Sequence, residues 1–320
     1  MKSILIFVLV GMMSIIFVSC QRGTDRVGGS PRIALVLKTA NNPFFIDMQK
    51  GAEDAAKKLG VTLVVQAAER EVDVEKQMQI IENLIQAKVA ALCVTPSGSR
   101  EIVPAIEKAN RAAIPVVIVD TRVDPKAMSE SKGKIATFIG SDNYEGGKLA
   151  GEFLAKRLGG KGKVAVLEGI PGHETGDSRL KGFRDAIKAM PGIEIVASQT
   201  ANWERDQGFN VFQNILQSHP DLQAVFACSD LMALGAVEAI AAAKKTGQIA
   251  VVGFDASTEA REAVRRGTMD ATVAQSPAEM GALAVENAYR LIKGEQVKEE
   301  FVVPIKLITK ETLSSTDASK

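Results

Sequence analysis

Short apolar runs rich in β-branched residues alternate with longer amphipathic stretches from residue 32 onward. The runs of strand length are 32–38, 61–67, 89–95, 114–120, 134–141, 162–168, 193–199, 222–228, 248–254 and 271–275. In the stretch 73–87, Met78, Ile81, Leu84 and Ile85 recur at helical spacing. Nearly continuous apolar strands that alternate with helices are typical of parallel sheets covered on both faces. The sequence therefore predicts an α/β protein with doubly wound parallel sheets.

An internal repeat predicts two related lobes. The segment Lys-Gly-Ala-Glu-Asp-Ala at 50–55 recurs as Lys-Gly-Phe-Arg-Asp-Ala at 181–186, and each copy lies between two of the strand runs. A chain of 320 residues is also long enough for two domains with separate cores. Because ligands of open parallel sheets bind beyond the carboxyl ends of the strands, those ends are the place to look for a site.

Polar and aromatic residues stand at these predicted strand ends. They are Lys38, Asn42, Asp120, Trp203, Ser229, Asp230, Asp255 and Gln275, with Phe44 and Phe45 just after the first strand. Aromatic faces stack on the C–H surface of a sugar while polar groups bond its hydroxyls, so the mixture suits a neutral polyol. The structural alternative is that Asn42, Asp230 and Asp255 cap helices, and that the two phenylalanines belong to the core.

Composition argues against several other classes of function. Lys and Arg number 39 against 38 Asp and Glu, so no overall positive charge attracts nucleic acid. Cys93 and Cys228 lie in separate apolar runs and are expected to be free core thiols. The chain has two histidines, His173 and His219, and no zinc-binding spacing. The glycine-rich loop 169–176 lacks both phosphate-loop spacings, which argues against a nucleotide site. Taken together, these observations lead us to expect no metal, no cofactor and no enzymatic activity.

The first twenty residues predict export. Lys2 is followed by a short apolar run and then by Cys20, after which the sequence becomes polar. The single Cys resembles a bacterial lipobox, although Phe17 stands where Leu is usual. We therefore expect a lipoprotein-type signal peptide at 1–20, acylation of Cys20, and a flexible tether at 21–31. The alternative is an ordinary cleaved secretory signal that happens to contain a Cys.

From about residue 32 to 312 the chain resembles the periplasmic sugar-binding proteins of ABC importers, in the ribose- and allose-binding branch. The segments that carry the resemblance are 33–45 (IALVLKTANNPFF), 198–203 (SQTANW), 224–227 (AVFA), 251–255 (VVGFD) and 272–275 (TVAQ). The resemblance implies a type I periplasmic binding protein with two lobes and a three-segment hinge near 141, 275 and 304. Lobe one would comprise 32–141 and 276–304, lobe two 142–275 and 305–312, with a tail at 313–320.

The resemblance also assigns roles to the candidate residues. It implies that Asn42, Asp120, Arg179, Asp255 and Gln275 hydrogen-bond a sugar. Phe45 and Trp203 would sandwich the ring from opposite lobes, with Phe44 supporting, and Lys38 matches a ligand-binding Lys of allose-type members. If these roles apply, replacing Asp120 or Arg179 by Ala should weaken sugar binding at least tenfold and leave the fold intact.

Two positions depart from the family pattern. Thr121 stands where ribose binders carry Arg, and Ser229 stands where both branches carry Asn. The changes remove donors and would enlarge the pocket, so both are expected to adjust specificity at the level of epimers. Arg122 is one residue away from the lost Arg, but a one-residue shift on a strand reverses side-chain direction. Lys38 together with Trp203 favours an allose-like hexopyranose over ribose.

The resulting prediction is an exported, monomeric receptor that binds a monosaccharide and delivers it to an ABC permease. It would contact the membrane only through the lipid anchor. The alternative partner is a chemoreceptor or sensor kinase that recognises the closed form. A LacI-type regulator shares the fold, but such proteins begin with a helix-turn-helix, whereas this chain begins with an export signal.

Overall fold

The structure is a computed structural model that describes residues 30–317. The predicted signal peptide, Cys20 and the tether as far as residue 29 lie outside the described residues. The strands of lobe one are β1 (Arg32–Leu37), β2 (Thr62–Ala67), β3 (Ala91–Val94), β4 (Val116–Val119), β5 (Thr137–Ser141) and β11 (Glu300–Val303). Its helices are α1 (Pro43–Leu59), α2 (Val74–Gln86), α3 (Val103–Arg111), α4 (Pro125–Ser129) and α10 (Pro277–Ile292).

Lobe two has the same kind of architecture. Its strands are β6 (Lys161–Glu168), β7 (Gly192–Thr200), β8 (Ala224–Ala227), β9 (Ala250–Asp255), β10 (Ala271–Ala274) and β12 (Lys306–Thr309). Its helices are α5 (Asn143–Arg157), α6 (Glu174–Lys188), α7 (Arg205–Ser218), α8 (Asp230–Ala242), α9 (Thr258–Arg266) and α11 (Lys310–Asp317). The strand orders are β11-β5-β4-β3-β1-β2 and β12-β10-β9-β8-β6-β7. Two α/β lobes of this kind confirm the predicted fold class.

Alternate residues of the central strands explain why the sheets are covered on both faces. Ile33, Leu35 and Leu37 of β1 pack into a cluster with residues of α1 and α10. Ala34 and Val36 pack into a separate cluster with residues of α2 and α3. Both faces of β1 are therefore apolar, which is the pattern of a continuous hydrophobic run in a doubly wound sheet.

The chain passes between the two sheets three times: between β5 and α5, between β10 and α10, and between β11 and β12. The prediction of parallel sheets is wrong at one edge, because β12 runs antiparallel to β10, with Ala274 opposite Lys306. β12 enters lobe two at the crossing, where the parallel strands end. A strand that begins at that end must run in the opposite direction.

The repeated segment has a shared structural role. A Cβ atom at Gly51 of α1 would lie 1.9 Å from the carbonyl oxygen of Ala278 in α10. A Cβ atom at Gly182 of α6 would lie 1.9 Å from the carbonyl oxygen of Tyr144 in α5. Each glycine lets one helix backbone approach its neighbour closely, so the repeat marks the same helix contact in both lobes.

The predicted tail needs correction. Residues 310–317 form α11, and Leu313 is buried in the core of lobe two. Because Leu313 packs against lobe two, residue 313 belongs to the folded lobe. Cys93 and Cys228 are both buried and free, as predicted.

Among residues 30–317, the structure contains no helix with the length and apolar character needed to cross a membrane.

Candidate functional site

Ten of the eleven predicted ligand-binding residues line one cavity between the lobes. The space between the atoms that line the cavity, including the part that is open to solvent, is about 300 Å³. Lobe one contributes Lys38, Asn42, Phe44, Phe45, Glu71 and Asp120. Lobe two contributes Thr175, Arg179, Trp203, Ser229 and Asp255, and Gln275 lies at the second crossing. The carboxyl ends of both sheets thus face one another across a small polar space.

Lys38 and Asp120 form a buried ion pair in lobe one. Lys38 follows β1 and Asp120 follows β4, and the lysine Nζ lies 3.0 Å from Asp120 Oδ2. The side chains are 3% and 5% exposed. Asp120 has a φ of 65°, a left-handed conformation that a non-glycine residue rarely adopts outside sites that need it. The pair supplies one donor group and one acceptor group to the cavity without net charge.

Thr121 does not reach the cavity, which corrects the prediction for that residue. It is fully buried and its Oγ1 donates to Asp120 Oδ2 at 2.9 Å. The left-handed backbone at Asp120 ends the regular alternation of the strand, so the next side chain supports the carboxylate instead of meeting the ligand space. Arg122 stacks on the Phe138 ring at 3.9 Å and pairs with the exposed Glu300.

Asn42 is both a helix cap and a cavity residue. Its Oδ1 accepts a hydrogen bond from the backbone N–H of Phe44 at the start of α1, as the N-cap prediction required. Its Nδ2 donates to Glu71 Oε1 at 3.0 Å. Phe44 and Phe45 then form an edge-to-face pair with ring centroids 5.3 Å apart. The first turn of α1 therefore places one amide and one aromatic pair at the cavity.

Arg179 is the central cation of lobe two. Its guanidinium lies 3.7 Å above the ring of Phe254, Nε donates to Asn143 Oδ1 at 2.8 Å, and Nη1 donates to the Cys228 carbonyl at 2.8 Å. Nη1 is also 3.6 Å from Asp255 Oδ1. These contacts hold the planar group in one orientation, so its remaining donors have a fixed direction.

Asp255 and Gln275 complete the polar wall at the hinge side. Gln275 Nε2 donates to Asp255 Oδ1 at 2.8 Å, while Gln275 Oε1 is buried without a hydrogen-bond partner among the described residues. Burial raises the pKa of Asp255, and Arg179 counteracts part of that effect. A φ of 111° at Asp255 adds a second strained backbone to the site.

Trp203 forms the aromatic wall of lobe two. It is 5% exposed, has a φ of 67°, and its Nε1 is buried with no partner within residues 30–317. The indole lies against Gly169 and Gly176, where added Cβ atoms would come within 1.9 Å and 3.0 Å of Cζ2. Phe45 lines the same cavity from lobe one. The two aromatic residues therefore flank the cavity from different lobes.

Ser229 and Asp230 have mainly structural contacts. Ser229 caps α8, accepting from the backbone N–H of Met232 at 3.4 Å, and its side chain still borders the cavity. Asp230 lies outside the cavity and accepts from Thr272 Oγ1 and from the Ser257 N–H, both at 2.7 Å. Burial and the neighbouring Asp255 carboxylate raise the pKa of Asp230. The capping alternative is therefore wrong for Asp230, because Ser229 caps α8, and for Asp255, because Ser257 caps α9.

Sequence reasoning missed three residues at the cleft. Glu71 lies in the loop between β2 and α2, and Thr175 lies in the first turn of α6. His173, directly before α6, is 4% exposed and lies near the charges of Lys38 and Asp120 in lobe one. Burial lowers the pKa of His173 to about 4. The strand-end rule pointed to both loops, but no sequence signal singled out these members.

Comparisons with known proteins identify the family of the chain. A family model described as a periplasmic binding protein domain matches residues 33–296. The chain is 41% identical to the ribose import binding protein of Bacillus subtilis over 277 residues, which covers 87% of each protein. It is 38% identical to the D-allose-binding periplasmic protein of Escherichia coli, covering 79% of this chain and 82% of the relative.

A solved structure also matches closely. The ABC transporter periplasmic solute binding protein of Actinobacillus succinogenes, with bound D-allose, aligns with a TM-score of 0.85 and 40% identity. The alignment covers 89% of this chain and 100% of that one. The family model spans most of both lobes, and the relatives match over most of their own length. The chain therefore belongs to the periplasmic binding protein domain family.

Proposed function

We propose that the protein is an exported solute-binding protein that captures a neutral monosaccharide between its lobes and delivers it to an ABC permease. One observation carries the proposal: aromatic and polar groups from both lobes meet around a single small cavity. One relative is a ribose import binding protein and another is a D-allose-binding periplasmic protein, and both match over most of their length, which supports a periplasmic location and a permease partner. The import role of the ribose relative favours a permease over a chemoreceptor. It also favours a binding protein over a regulator or an enzyme.

The lining chemistry supports a sugar as the ligand. Phe45 and Trp203 can stack on both faces of a pyranose ring. Asp120 and Asp255 offer acceptors for hydroxyl groups, and Arg179 offers donors of fixed direction. The buried Trp203 Nε1 and Gln275 Oε1 would each gain a hydrogen bond from such a ligand.

Closure follows from the division of these groups between the lobes. Only the closed arrangement brings both aromatic faces and both sets of polar groups to one ligand, so the ligand stabilises the closed form. We assign the hinge to the three crossings near 141, 275 and 304, and we assign a monomer as the functional unit. The closed form is then the state that the permease distinguishes from the empty receptor.

An allose-like hexopyranose is the preferred ligand. Lys38 is held by Asp120 at the cavity wall, and a relative of 40% identity was solved with D-allose. Because Thr121 does not reach the cavity and Ser229 caps a helix, neither adds a long donor to discriminate against a six-carbon sugar. Ribose is the second candidate, on the strength of the Bacillus subtilis relative.

The single Trp of the chain allows a direct test. Titration of the protein lacking the signal peptide with D-allose, D-ribose, D-galactose and myo-inositol should give a saturable change in Trp203 emission with one or two of them. The melting temperature of the protein should rise in the presence of the same sugars. Trp203→Ala should abolish tight binding. A flat emission and an unchanged melting temperature with every sugar would contradict the proposal.

We also propose that Cys20 is acylated and anchors the mature protein to the membrane surface. The sequence around Cys20 supports this, and the Gly- and Ser-containing segment 21–31 would then act as the tether. Metabolic labelling with a fatty acid should mark the wild type and not Cys20→Ala. Release of unlabelled wild-type protein into the soluble periplasmic fraction would instead support an ordinary secretory signal.

A further inference from the structure

Glu71 is a cavity carboxyl group that the strand-end analysis did not identify. It belongs to the loop between β2 and α2 and is only 6% exposed. It lines the same cavity as Lys38 and Asp120. A buried carboxyl group at the wall of a ligand site is available to contact the ligand directly.

One oxygen of this carboxyl group is already committed. The Oδ1 atom of Asn42 caps α1 by accepting from the Phe44 N–H, which fixes the direction of the Asn42 amide. The Nδ2 of Asn42 therefore faces Glu71 and donates to Oε1 at 3.0 Å. The other oxygen, Oε2, lies 4.0 Å from Lys38 Nζ, beyond normal hydrogen-bond distance. Oε2 is thus the atom of Glu71 that is left for a ligand.

The other charges of the cavity balance without Glu71. Lys38 pairs with Asp120 at 3.0 Å, and Arg179 lies 3.6 Å from Asp255. An ionised Glu71 would be a third carboxylate beside two cations, in a space from which a bound sugar removes water. The neutral carboxyl group has no such penalty, and its O–H can donate.

The groups around Glu71 have opposing effects on its ionisation. Lys38 and the Asn42 amide favour the ionised form, whereas Asp120 and Asp255 disfavour it. Burial is the largest effect, and the pKa of Glu71 rises to about 7.

Further charges surround these neighbours. At the mouth of the cleft, Arg70 lies on the same loop as Glu71, and Glu204 and Asp206 face that loop from lobe two. His173 lies near Lys38 and Asp120 and is itself buried. None of these groups forms a hydrogen bond with Oε2 within the part of the chain that the structure describes.

We propose that Glu71 is a specificity-determining residue whose neutral carboxyl group donates a hydrogen bond from Oε2 to one hydroxyl oxygen of the bound sugar. The inference rests on the proposed function, because it needs a sugar in the cleft. In the open form the loop meets water and Glu71 ionises more readily. Closure around the sugar then takes up a proton at Glu71, so binding weakens as the pH rises.

The test compares wild type with Glu71→Gln, which keeps an acceptor for Asn42 and replaces the O–H by an N–H donor. D-allose and D-ribose are titrated by calorimetry from pH 5.5 to 8.5 in buffers of different ionisation enthalpy. For wild type we expect uptake of close to one proton near pH 7, and affinity that falls by up to about tenfold per pH unit as the pH rises. The control is Glu75→Gln, an exposed carboxyl group in the first turn of α2.

Glu71→Gln should bind with the affinity that wild type shows at pH 5.5, within about threefold, and with no Glu71-linked proton uptake across the range. Glu75→Gln should behave as wild type. His173 is present in all three proteins, so its own titration cancels in the comparison. Wild-type binding with the same pH dependence as Glu71→Gln would overturn the inference while leaving the proposed function intact. So would a loss of tenfold or more in Glu71→Gln at every pH, which would indicate an ionised acceptor. Absence of wild-type binding to any sugar would overturn both.

Discussion

The indole of Trp203 lies so close to Gly169 that a Cβ atom at position 169 would be 1.9 Å from its Cζ2 atom. Gly169 follows β6 directly, and Trp203 follows β7 by three residues, so neighbouring strands of lobe two bring the two together. Because Gly169 has no side chain, the indole can lie along the cavity wall. Any side chain at 169 must displace the aromatic plane.

Gly169→Ala should therefore weaken sugar binding at least tenfold without abolishing folding. The methyl group overlaps the indole, which has to tilt into the ligand space, and such overpacking costs about 1–3 kcal/mol of stability. The emission of Trp203 should shift in the ligand-free protein, because the indole changes its surroundings. Unchanged emission and an unchanged dissociation constant for the sugar would show that Trp203 does not depend on this support.

Arg179→Ala should lose both binding and stability. The sequence-based expectation was a loss of affinity with an intact fold. The structure changes that expectation, because the guanidinium bonds the buried Asn143 side chain and the Cys228 carbonyl. Leaving these two acceptors without their donor, and Asp255 without its neighbouring cation, should cost about 2–5 kcal/mol in the free energy of unfolding.

Urea unfolding measures the loss of stability caused by Arg179→Ala. Arg184→Ala, on the same helix, is the control. Arg184 is half exposed and contacts Glu168 at the surface, so its removal should cost no more than about 1 kcal/mol. The same argument applies to Asp120→Ala, which leaves Lys38 buried without its closest partner. Equal stability of Arg179→Ala and Arg184→Ala would contradict the structural role of Arg179.

Gly51→Ala should destabilise the protein by several kcal/mol, because the added Cβ would lie 1.9 Å from a backbone oxygen of α10. Backbone cannot move aside as a flexible side chain can, so the helix pair has to separate. Gly182→Ala should behave in the same way in lobe two. Asp54→Ala, on the exposed side of α1, should change the free energy of unfolding by less than about 0.5 kcal/mol. Thermal or urea unfolding distinguishes these outcomes, and equal stabilities for Gly51→Ala and Asp54→Ala would refute the close approach.

His173 should make the folded protein sensitive to acid. Its pKa falls from an ordinary 6.5 to about 4 in the folded protein, so the unfolded chain binds the proton more tightly. The contribution of neutral His173 is complete above pH 6.5 and is lost as the pH falls toward 4. The difference in pKa corresponds to roughly 3 kcal/mol.

His173→Gln should remove this part of the acid sensitivity. Free energies of unfolding at pH 7 and pH 4.5 are compared for wild type, His173→Gln and His219→Gln. His219 lies at the far end of α7 and serves as the control for loss of a histidine. An identical decrease between the two pH values in all three proteins would refute the role of His173.

Most of the fold and much of the site were predictable from local sequence patterns. The β-branched runs located the strands, and the strand-end rule found Lys38, Asp120 and Asp255, because parallel strands bring their carboxyl ends to one edge. Arg179 lies in the second turn of a helix and came only from the resemblance. Thr121 was misplaced because the left-handed backbone at Asp120 interrupts the strand alternation. Glu71 was missed because its position depends on the path of a loop, which neither periodicity nor spacing encodes.

The third crossing has a consequence for the order in which the two sheets are completed. Lobe one needs β11 to complete its sheet, and lobe two needs β12, which ends at Thr309. β11 pairs with β5 across a long sequence separation. Contacts between residues far apart in the sequence form slowly, because the chain loses the entropy of closing a long loop before the contacts stabilise it. Because β11 follows ten of the other eleven strands along the chain, we expect the sheet of lobe one to be completed late in folding.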